Sequence, residues 1–376
     1  MQNPVSEQGT RSILLGRESL TMSSELKREV RLPLPSLARH VHITGTTGSG
    51  KSTTAKVICA GLLENHVPTV VLDRTGEYAE AFAGVEKGAV ILRPGENLSI
   101  ALFGLDEGDP EGQIEGRLSL MDHFYHVSYN QELSPLQGRV LRNVLTDHYR
   151  GSKKVLTITE MILNLEYLMQ KNDDKGGWPE AIEAAISRLW PLTVSKVGAT
   201  FNRSYSTFKV AQLFEPNLTI IDLSVLPDDN ARNLLSQVVL KQVYEEARRR
   251  GKPTGDAISL VFLIDEAHHV CPNKRDYISI PERCAIELRK YGFSLITCAT
   301  RPILVSPNII ANSNTLISHM LNNSDDIETS AGFFMGGTSI ADSLRRLSVG
   351  EAMIQINSPK PLTPIRCKVG AIGVAH

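Results

Sequence analysis

The stretch Val41-His-Ile-Thr-Gly-Thr-Thr-Gly-Ser-Gly-Lys-Ser-Thr53 decides the fold. Its first four residues read as a short buried strand. Gly45, Thr46, Thr47, Gly48, Ser49, Gly50, Lys51 and Ser52 then satisfy the pattern G-x-x-x-x-G-K-[ST], and from Lys51 through Thr53 a helical run opens that ends near Asn65. A Gly-rich turn between a strand and a helix start brings backbone N–H groups together on one point. The helix adds partial positive charge there, so the turn is suited to phosphate. By chance the four fixed positions occur in a chain this long only about once in a hundred, so the pattern carries weight.

Working outward, β-rich runs at 41–44, 69–73 and 89–92 are each followed by a turn and a helical segment, the alternation of a parallel sheet with covering helices. From about residue 94 to 216 that rhythm stops, and 3.6-residue periodicity appears at 137–149, 158–169 and 179–189. The polar, Gly-rich tracts 106–112 and 171–177 read as exposed loops. Strand-like runs resume at 218–223, 260–264, 294–299, 315–318 and 352–356. The expectation is an α/β fold, a P-loop core over 39–95 and 216–376 with a mostly parallel central sheet. A mainly helical insertion at 96–215 interrupts it, and 1–38 forms a short N-terminal segment whose 31–35 stretch is an extended lead-in.

Composition sets outer limits. The 376 residues are 41% hydrophobic and 22% charged, which excludes a disordered or low-complexity chain. Net charge is −1, so any nucleic-acid contact must come from local basic groups multiplied by assembly. Five cysteines, odd in number and without a C-x-x-C pair, fit a reduced, cytoplasmic setting. No window approaches the ~20 apolar residues of a membrane span.

The apolar run 260–264 ends in Asp265-Glu266, at the carboxyl end of a strand, where open α/β sheets bind ligands. Asp265 is placed to hold a Mg²⁺-bound water together with Ser52, and Glu266 to act as general base on water facing a γ-phosphate held by Lys51. The turn Asp73-Arg-Thr-Gly-Glu-Tyr78 also ends a strand, and Asp73 and Glu77 become further nucleotide-side candidates or, equally, members of a plain exit turn. His268 and His269 lack H-E-x-x-H spacing and are not read as metal ligands. ATP with Mg²⁺ is the expected ligand pair.

Several blocks together make the chain resemble the HerA family of hexameric ATPases, within the broader HerA and FtsK group. They are Leu37-Ala-Arg-His40, the glycine loop, Asp73 to Tyr78, Ile221-Asp-Leu-Ser224, Asp265-Glu-Ala-His268, Leu288-Arg-Lys-Tyr-Gly292, Ala299-Thr-Arg-Pro302 and Leu347-Ser-Val-Gly-Glu351. The similarity runs over about 39–369, densest in the α/β core. The resemblance implies a RecA-like core assembled as a homo-hexamer around double-stranded DNA, with ATP between neighbours and an arginine supplied in trans. Arg289, in the helix ending at Tyr291, matches that arginine, and Arg39 matches a second nucleotide-contacting one. Thr300 stands where the family often has a γ-phosphate-sensing glutamine. Archaeal members carry an N-terminal β-barrel that docks a nuclease; the 38 residues ahead of Arg39 are too few to close one and would keep at most a few strands as its remnant, so a different effector partner or docking mode is implied.

DNA contact is assigned to Lys274 and Arg275 after the acidic pair, and to Lys196 and Arg203. The function implied is an ATP-hydrolysing DNA translocase or helicase working with an effector in DNA end processing or antiviral defence. A conjugative or secretion-type motor and an ATP-binding scaffold that activates a partner enzyme are the alternatives.

Overall fold

The computed structural model describes residues 11–19, 28–85, 87–105, 108–171, 178–255, 257–274, 277–357 and 362–370. Eleven strands form one mixed sheet: β1 Ser12–Glu18, β2 Glu29–Pro33, β3 Val41–Thr44, β4 Thr69–Asp73, β5 Ala89–Leu92, β6 Leu218–Asp222, β7 Leu260–Ile264, β8 Phe293–Ala299, β9 Thr315–Ser318, β10 Glu351–Ile356 and β11 Ile365–Val369. Their order is β2-β1-β11-β10-β9-β3-β8-β7-β4-β6-β5. β3 pairs in parallel with β8 and β9, and β7 in parallel with β8 and β4. β9, β10, β11, β1 and β2 continue outward as antiparallel neighbours.

The parallel centre is buried throughout, which is why its strands read as unbroken apolar runs rather than alternating ones: Leu260 to Ile264 are all fully buried. Helix Lys51–Glu64 covers this centre through Ala55, Ile58, Cys59 and Leu62, an i, i+3, i+4, i+7 stripe with zero exposure. Full burial of Ile58 and of Leu62 contributes on the order of 1.5–3 kcal/mol each. All five cysteines are buried free thiols.

The chain divides into two compact units, one of Met1–Ile91, Leu213–Ile220 and Tyr244–His376, the other of Leu92–Gln212 and Ile221–Val243. In the second, the described residues between β5 and β6 form helices and connecting loops, the longest being Pro110–Tyr129, Pro135–Gly151, Ile158–Lys171 and Trp178–Leu189. The Arg188 guanidinium lies 4.6 Å from the Tyr125 ring centroid within this unit.

Three expectations change. The lead-in at 31–35 is mostly strand: β2 pairs with β1, and β1 with β11, so this part of the N-terminal segment extends the sheet. The tract 106–112 is not all loop, because Asp109 caps a helix by accepting from the Glu111 N–H, and Pro110 occupies the first helical turn. The helix ahead of Arg289 stops at Glu287, and Arg289–Tyr291 is a separate 3-10 turn closed by Gly292 at φ 77. The tract 172–177 lies outside the described residues.

One carboxylate fastens the antiparallel flank. Glu351 on β10 accepts from the Ser19 hydroxyl at 2.7 Å, the Ser348 N–H at 2.8 Å and the Arg366 guanidinium. Burial works against its charge, but these donors win and hold the carboxyl down at about 2. A depressed carboxyl stabilises the fold above its unfolded pKa, near ~4.3, and that contribution is lost as pH falls through the folded value. Glu351→Gln is therefore expected to lower the urea midpoint at pH 7, with the gap to the parent protein closing as pH drops from about 4 toward 2. A gap that stays constant over that range would refute this account.

Candidate functional site

The loop between β3 and helix Lys51–Glu64 is seated from below. The Gly45 N–H donates to the Ala299 carbonyl at 3.2 Å, the Thr46 N–H and hydroxyl to the Met320 carbonyl at 3.0 and 3.1 Å, and the Gly350 N–H to the Ser49 carbonyl at 2.8 Å. The ends of β8 and β9 and the turn before β10 thus fix the loop's path. Two glycines are required for different reasons. Gly45 has no room, since a Cβ there would lie 2.5 Å from Ser49 Oγ and 2.6 Å from His319 Cβ. Gly50 combines φ +110 with a Cβ position 3.0 Å from the Gly350 Cα.

Above the loop lies a cleft of about 440 Å³ lined by Thr46, Thr47, Gly48, Gly50, Lys51, Ser52 and Thr53 from the loop and helix start, and by Thr75, Glu77, Asp265, Glu266 and Thr300 across from them. Ser49 is buried and does not line it, and neither does Gly45.

Lys51 is the centre of the charge arrangement. It is only 5% exposed, yet its Nζ is 3.2 Å from Glu266 Oε1 and 3.7 Å from Asp265 Oδ1. Burial opposes the ammonium, and the acidic surroundings of Cys298, Asp265 and Glu266 outweigh it, so its pKa is raised. Asp265 is pushed up to about 6 by burial, against the pull of Lys51 and with the help of Glu266, Asp73 and Glu77. Glu266 is held below its usual value despite burial, by Lys51, by the Thr300 hydroxyl donating to Oε2 at 3.0 Å, and by His268. Its backbone sits at φ 46, a left-handed conformation uncommon for a glutamate and typical of sites where geometry overrides local preference.

The acidic turn after β4 separates into two roles. Asp73 is fully buried and accepts from the N–H groups of Gly76, Tyr78 and Ala79 at 2.9, 3.0 and 2.8 Å, so it builds the turn and does not face the cleft. Glu77 does face it and pairs with Lys56 at 3.2 Å. Thr75, which sequence reading passed over, lies 3.4 Å from both Asp73 Oδ1 and Asp265 Oδ2. Val349, Gly350 and Val369 close the cleft from the antiparallel flank. Only the block Leu347 to Glu351 hinted at them.

His319 was also missed. It directly follows β9, and its Nε2 is 2.8 Å from the Thr54 hydroxyl, bracing the helix start from beneath. No pattern marks it in sequence.

Arg39 and Arg289 are exposed and lie at the amino ends of β3 and β8, the edge opposite the cleft. Lys196 pairs with Glu96 at 2.8 Å, and the Arg203 Nε donates to the Ala199 carbonyl at 3.1 Å. Lys274 is partly buried, which lowers its pKa, while Arg275 lies outside the described residues.

This geometry fits a bound divalent cation. Asp265 Oδ1 is buried and lacks a hydrogen-bond partner, and Asp265 lines the same cleft as Ser52. The group available to hold such an ion, directly or through water, is therefore Asp265 with Ser52 opposite. A chain of phosphates could be held by the backbone of Thr46 to Thr53 and by Lys51.

Two glycine positions, one open and one crowded, give a graded test. At Gly48, φ is +76 and a Cβ would meet no atom within 4 Å, so Gly48→Ala should cost only the ~1–2 kcal/mol of a left-handed alanine. Gly50→Ala adds the clash with Gly350 and should weaken nucleotide binding by at least about tenfold more than Gly48→Ala in calorimetric titration. Equal losses would show that Gly350 does not confine the loop.

Residues 19–243 match the family described as "Helicase HerA, central domain". The chain is 25% identical over 345 residues to the DNA double-strand break repair helicase HerA of Sulfurisphaera tokodaii, covering 87% of this chain and 64% of that protein, less than two thirds of its length. Among solved structures, VirB4 of Thermoanaerobacter pseudethanolicus superposes with TM-score 0.72 at 16% identity, over 99% of both chains. The plasmid coupling protein TrwB in complex with ADP and Mg²⁺ does so with TM-score 0.67 at 13% identity, over 100% of this chain and 98% of that one. At those identities the likeness establishes the RecA-like P-loop fold alone. By the extent of the family match, this chain belongs to the HerA helicase central-domain family.

Proposed function

We propose that this chain is the ATP-hydrolysing motor of a HerA-type DNA translocase, working as a head-to-tail ring, six copies by family resemblance. The observation that carries the reading is the split between the two edges of the sheet. Phosphate loop and acidic pair lie at the carboxyl ends of β3 and β7, while the two family arginines lie at the amino ends of β3 and β8. The seven residues of β8 span ~23 Å, more than an arginine side chain reaches. Neither arginine can meet the nucleotide its own subunit binds. Each can meet a neighbour's, and a surface that pairs one edge of a copy with the opposite edge of the next is heterologous, the kind of contact that forms a ring when the rotation between copies closes.

Within one subunit, Lys51 would leave its two carboxylates to take up the β- and γ-phosphates, and Ser52 and Asp265 would hold Mg²⁺. Bound there, the ion neutralises charge that builds on the phosphate oxygens. Freed from Lys51 but still tethered by Thr300, Glu266 would orient water and accept its proton. Thr300 thereby takes a place in the site where a glutamine is common, acting on the general base. The TrwB complex with ADP and Mg²⁺ supports this ligand pair, on the same fold.

The S. tokodaii relative's name supports double-stranded DNA as the track. Lys274 and Arg275 remain the preferred DNA contacts. Lys196 is a weaker one, its charge being spent on Glu96. A nuclease or other effector, in end processing or defence, would take the motor's product. No described helix is long and apolar enough to cross a membrane.

Lys51→Ala should abolish ATP binding. Glu266→Gln should bind ATP and fail to turn it over. Arg289→Ala should lower kcat by as much as ~10³ while leaving the nucleotide affinity of the isolated subunit unchanged. Calorimetric titration with ATP, turnover with blunt duplex, and mass in solution with and without ATP together check all three. A chain that stays monomeric with ATP and hydrolyses it at full rate would overturn the ring.

A further inference from the structure

Arg39 and Arg289 come from distant parts of the chain, and one side chain lies between them. His40 is 2% exposed and has φ 65, unusual for a residue other than glycine. Its Nε2 is 2.8 Å from the Ala285 carbonyl, and its Nδ1 accepts the Leu295 N–H at 3.0 Å. A carbonyl only accepts and an amide N–H only donates, so the ring is neutral with its proton on Nε2. Burial lowers its pKa to about 4, against the bond to Ala285 and with the positive charge of Arg289 acting in the same direction as burial.

The backbone around it is equally committed. The His40 N–H donates to the Leu37 carbonyl at 3.0 Å, and the Asn314 N–H reaches the Arg39 and His40 carbonyls at 2.7 and 3.1 Å. Ala285 belongs to helix Ile280–Glu287, which ends just before Arg289, and Leu295 belongs to β8. One imidazole thus joins the residue beside Arg39, the helix that leads into Arg289, and the strand that follows it.

We propose that His40 is the positioning residue of a two-arginine clamp: it sets Arg39 and Arg289 in one geometry toward a nucleotide held by the adjacent copy of this chain. It touches no substrate and acts through the arginines. The inference rests on the reading in which those arginines work in trans. Its physical content is that neither arginine is fixed by its own side chain, both being exposed, so their relative placement depends on the buried ring between their backbones.

Two substitutions separate the ring's bonds. Asparagine tolerates positive φ, and its amide oxygen can replace Nδ1, but it is too short to reach Ala285. Glutamine is long enough to place an N–H where Nε2 stands. In the full chain with duplex DNA, His40→Asn should lower kcat about tenfold or more with KM for ATP within about twofold, and His40→Gln should recover much of that loss. The deciding measurement is a mutant cycle. On a background lacking both arginines, Arg39→Ala with Arg289→Ala, His40→Asn should cost less than about a further twofold, because both groups it serves are already gone.

If the two losses multiply, or if His40→Asn changes only the unfolding midpoint, His40 is a core residue and the clamp is wrong. Should His40→Asn not fold, His40→Gly, which accepts positive φ and removes both of the ring's bonds, goes through the same cycle with the same criterion. If Arg289→Ala and Arg39→Ala both leave turnover intact, the trans reading itself has failed. That result is distinct from one in which the arginines matter and His40 does not.

Discussion

A buried ammonium between two carboxylates organises this protein. An uncompensated charge at the depth of Lys51 would cost several kcal/mol, and the pairs with Glu266 and Asp265 remove that cost. The compensation is uneven. Glu266 also receives the Thr300 hydroxyl and is held ionised, whereas Asp265 keeps a buried oxygen without a hydrogen bond and a carboxyl raised to about 6. The site therefore keeps one carboxylate oxygen that has an ion pair but no hydrogen bond, next to a lysine whose present partners a phosphate could replace. A group with that profile serves ligand binding at the expense of stability, the trade expected where chemistry is done.

That arrangement is possible only because four neighbouring strands run the same way. β3, β8, β7 and β4 are adjacent and parallel, so the glycine loop, Thr300, the acidic pair and the turn after Asp73 all leave the sheet at one edge. Strand spacing of ~4.8 Å keeps the residues that leave neighbouring strands close together, with the outermost two about 14 Å apart. The antiparallel flank contributes from the side, where the turn holding Gly350 accepts the loop's underside and Glu351 fixes that turn to Ser19 and Arg366. The N-terminal hairpin thereby reaches the site through the sheet, although it supplies no side chain to the cleft.

What could be read from the sequence followed from how local the signal is. The parallel strands are short apolar runs bounded by turns, and the glycine loop is a contiguous pattern with a steric reason at each fixed position. Both were legible. β1, β2 and β11 were not, because their only guarantee is each other: β1 pairs with a strand some 350 residues away, and β2 carries exposed Glu29 and Arg31. Helix Pro110–Tyr129 hid for another reason. Its buried residues Ile114, Leu118, Leu120, Met121 and Phe124 do not keep to one narrow stripe, so the period is weak, and its capping Asp109 resembles a loop residue. Asp73 illustrates a limit of a different kind. Residue type and edge placement made it a ligand candidate, but three backbone N–H groups claim it, and only the fold reveals that competition.

β3 itself is the least conspicuous part of the site and the most constrained. It has four residues, with His40 and Arg39 at one end and Gly45 at the other, and it lies between β8 and β9 with each of its residues paired to both. Such a strand cannot slip by one residue without turning Val41 and Ile43, both fully buried, out of their packing. It can only move as a rigid piece with its neighbours. On the proposed reading its amino end faces the neighbour's nucleotide and its carboxyl end begins the loop around its own. A displacement of the arginines by one nucleotide would then be delivered, through about 13 Å of unyielding backbone, to the loop that holds the next. Coordination around the ring would need no moving domain, only a strand too short and too well paired to absorb strain.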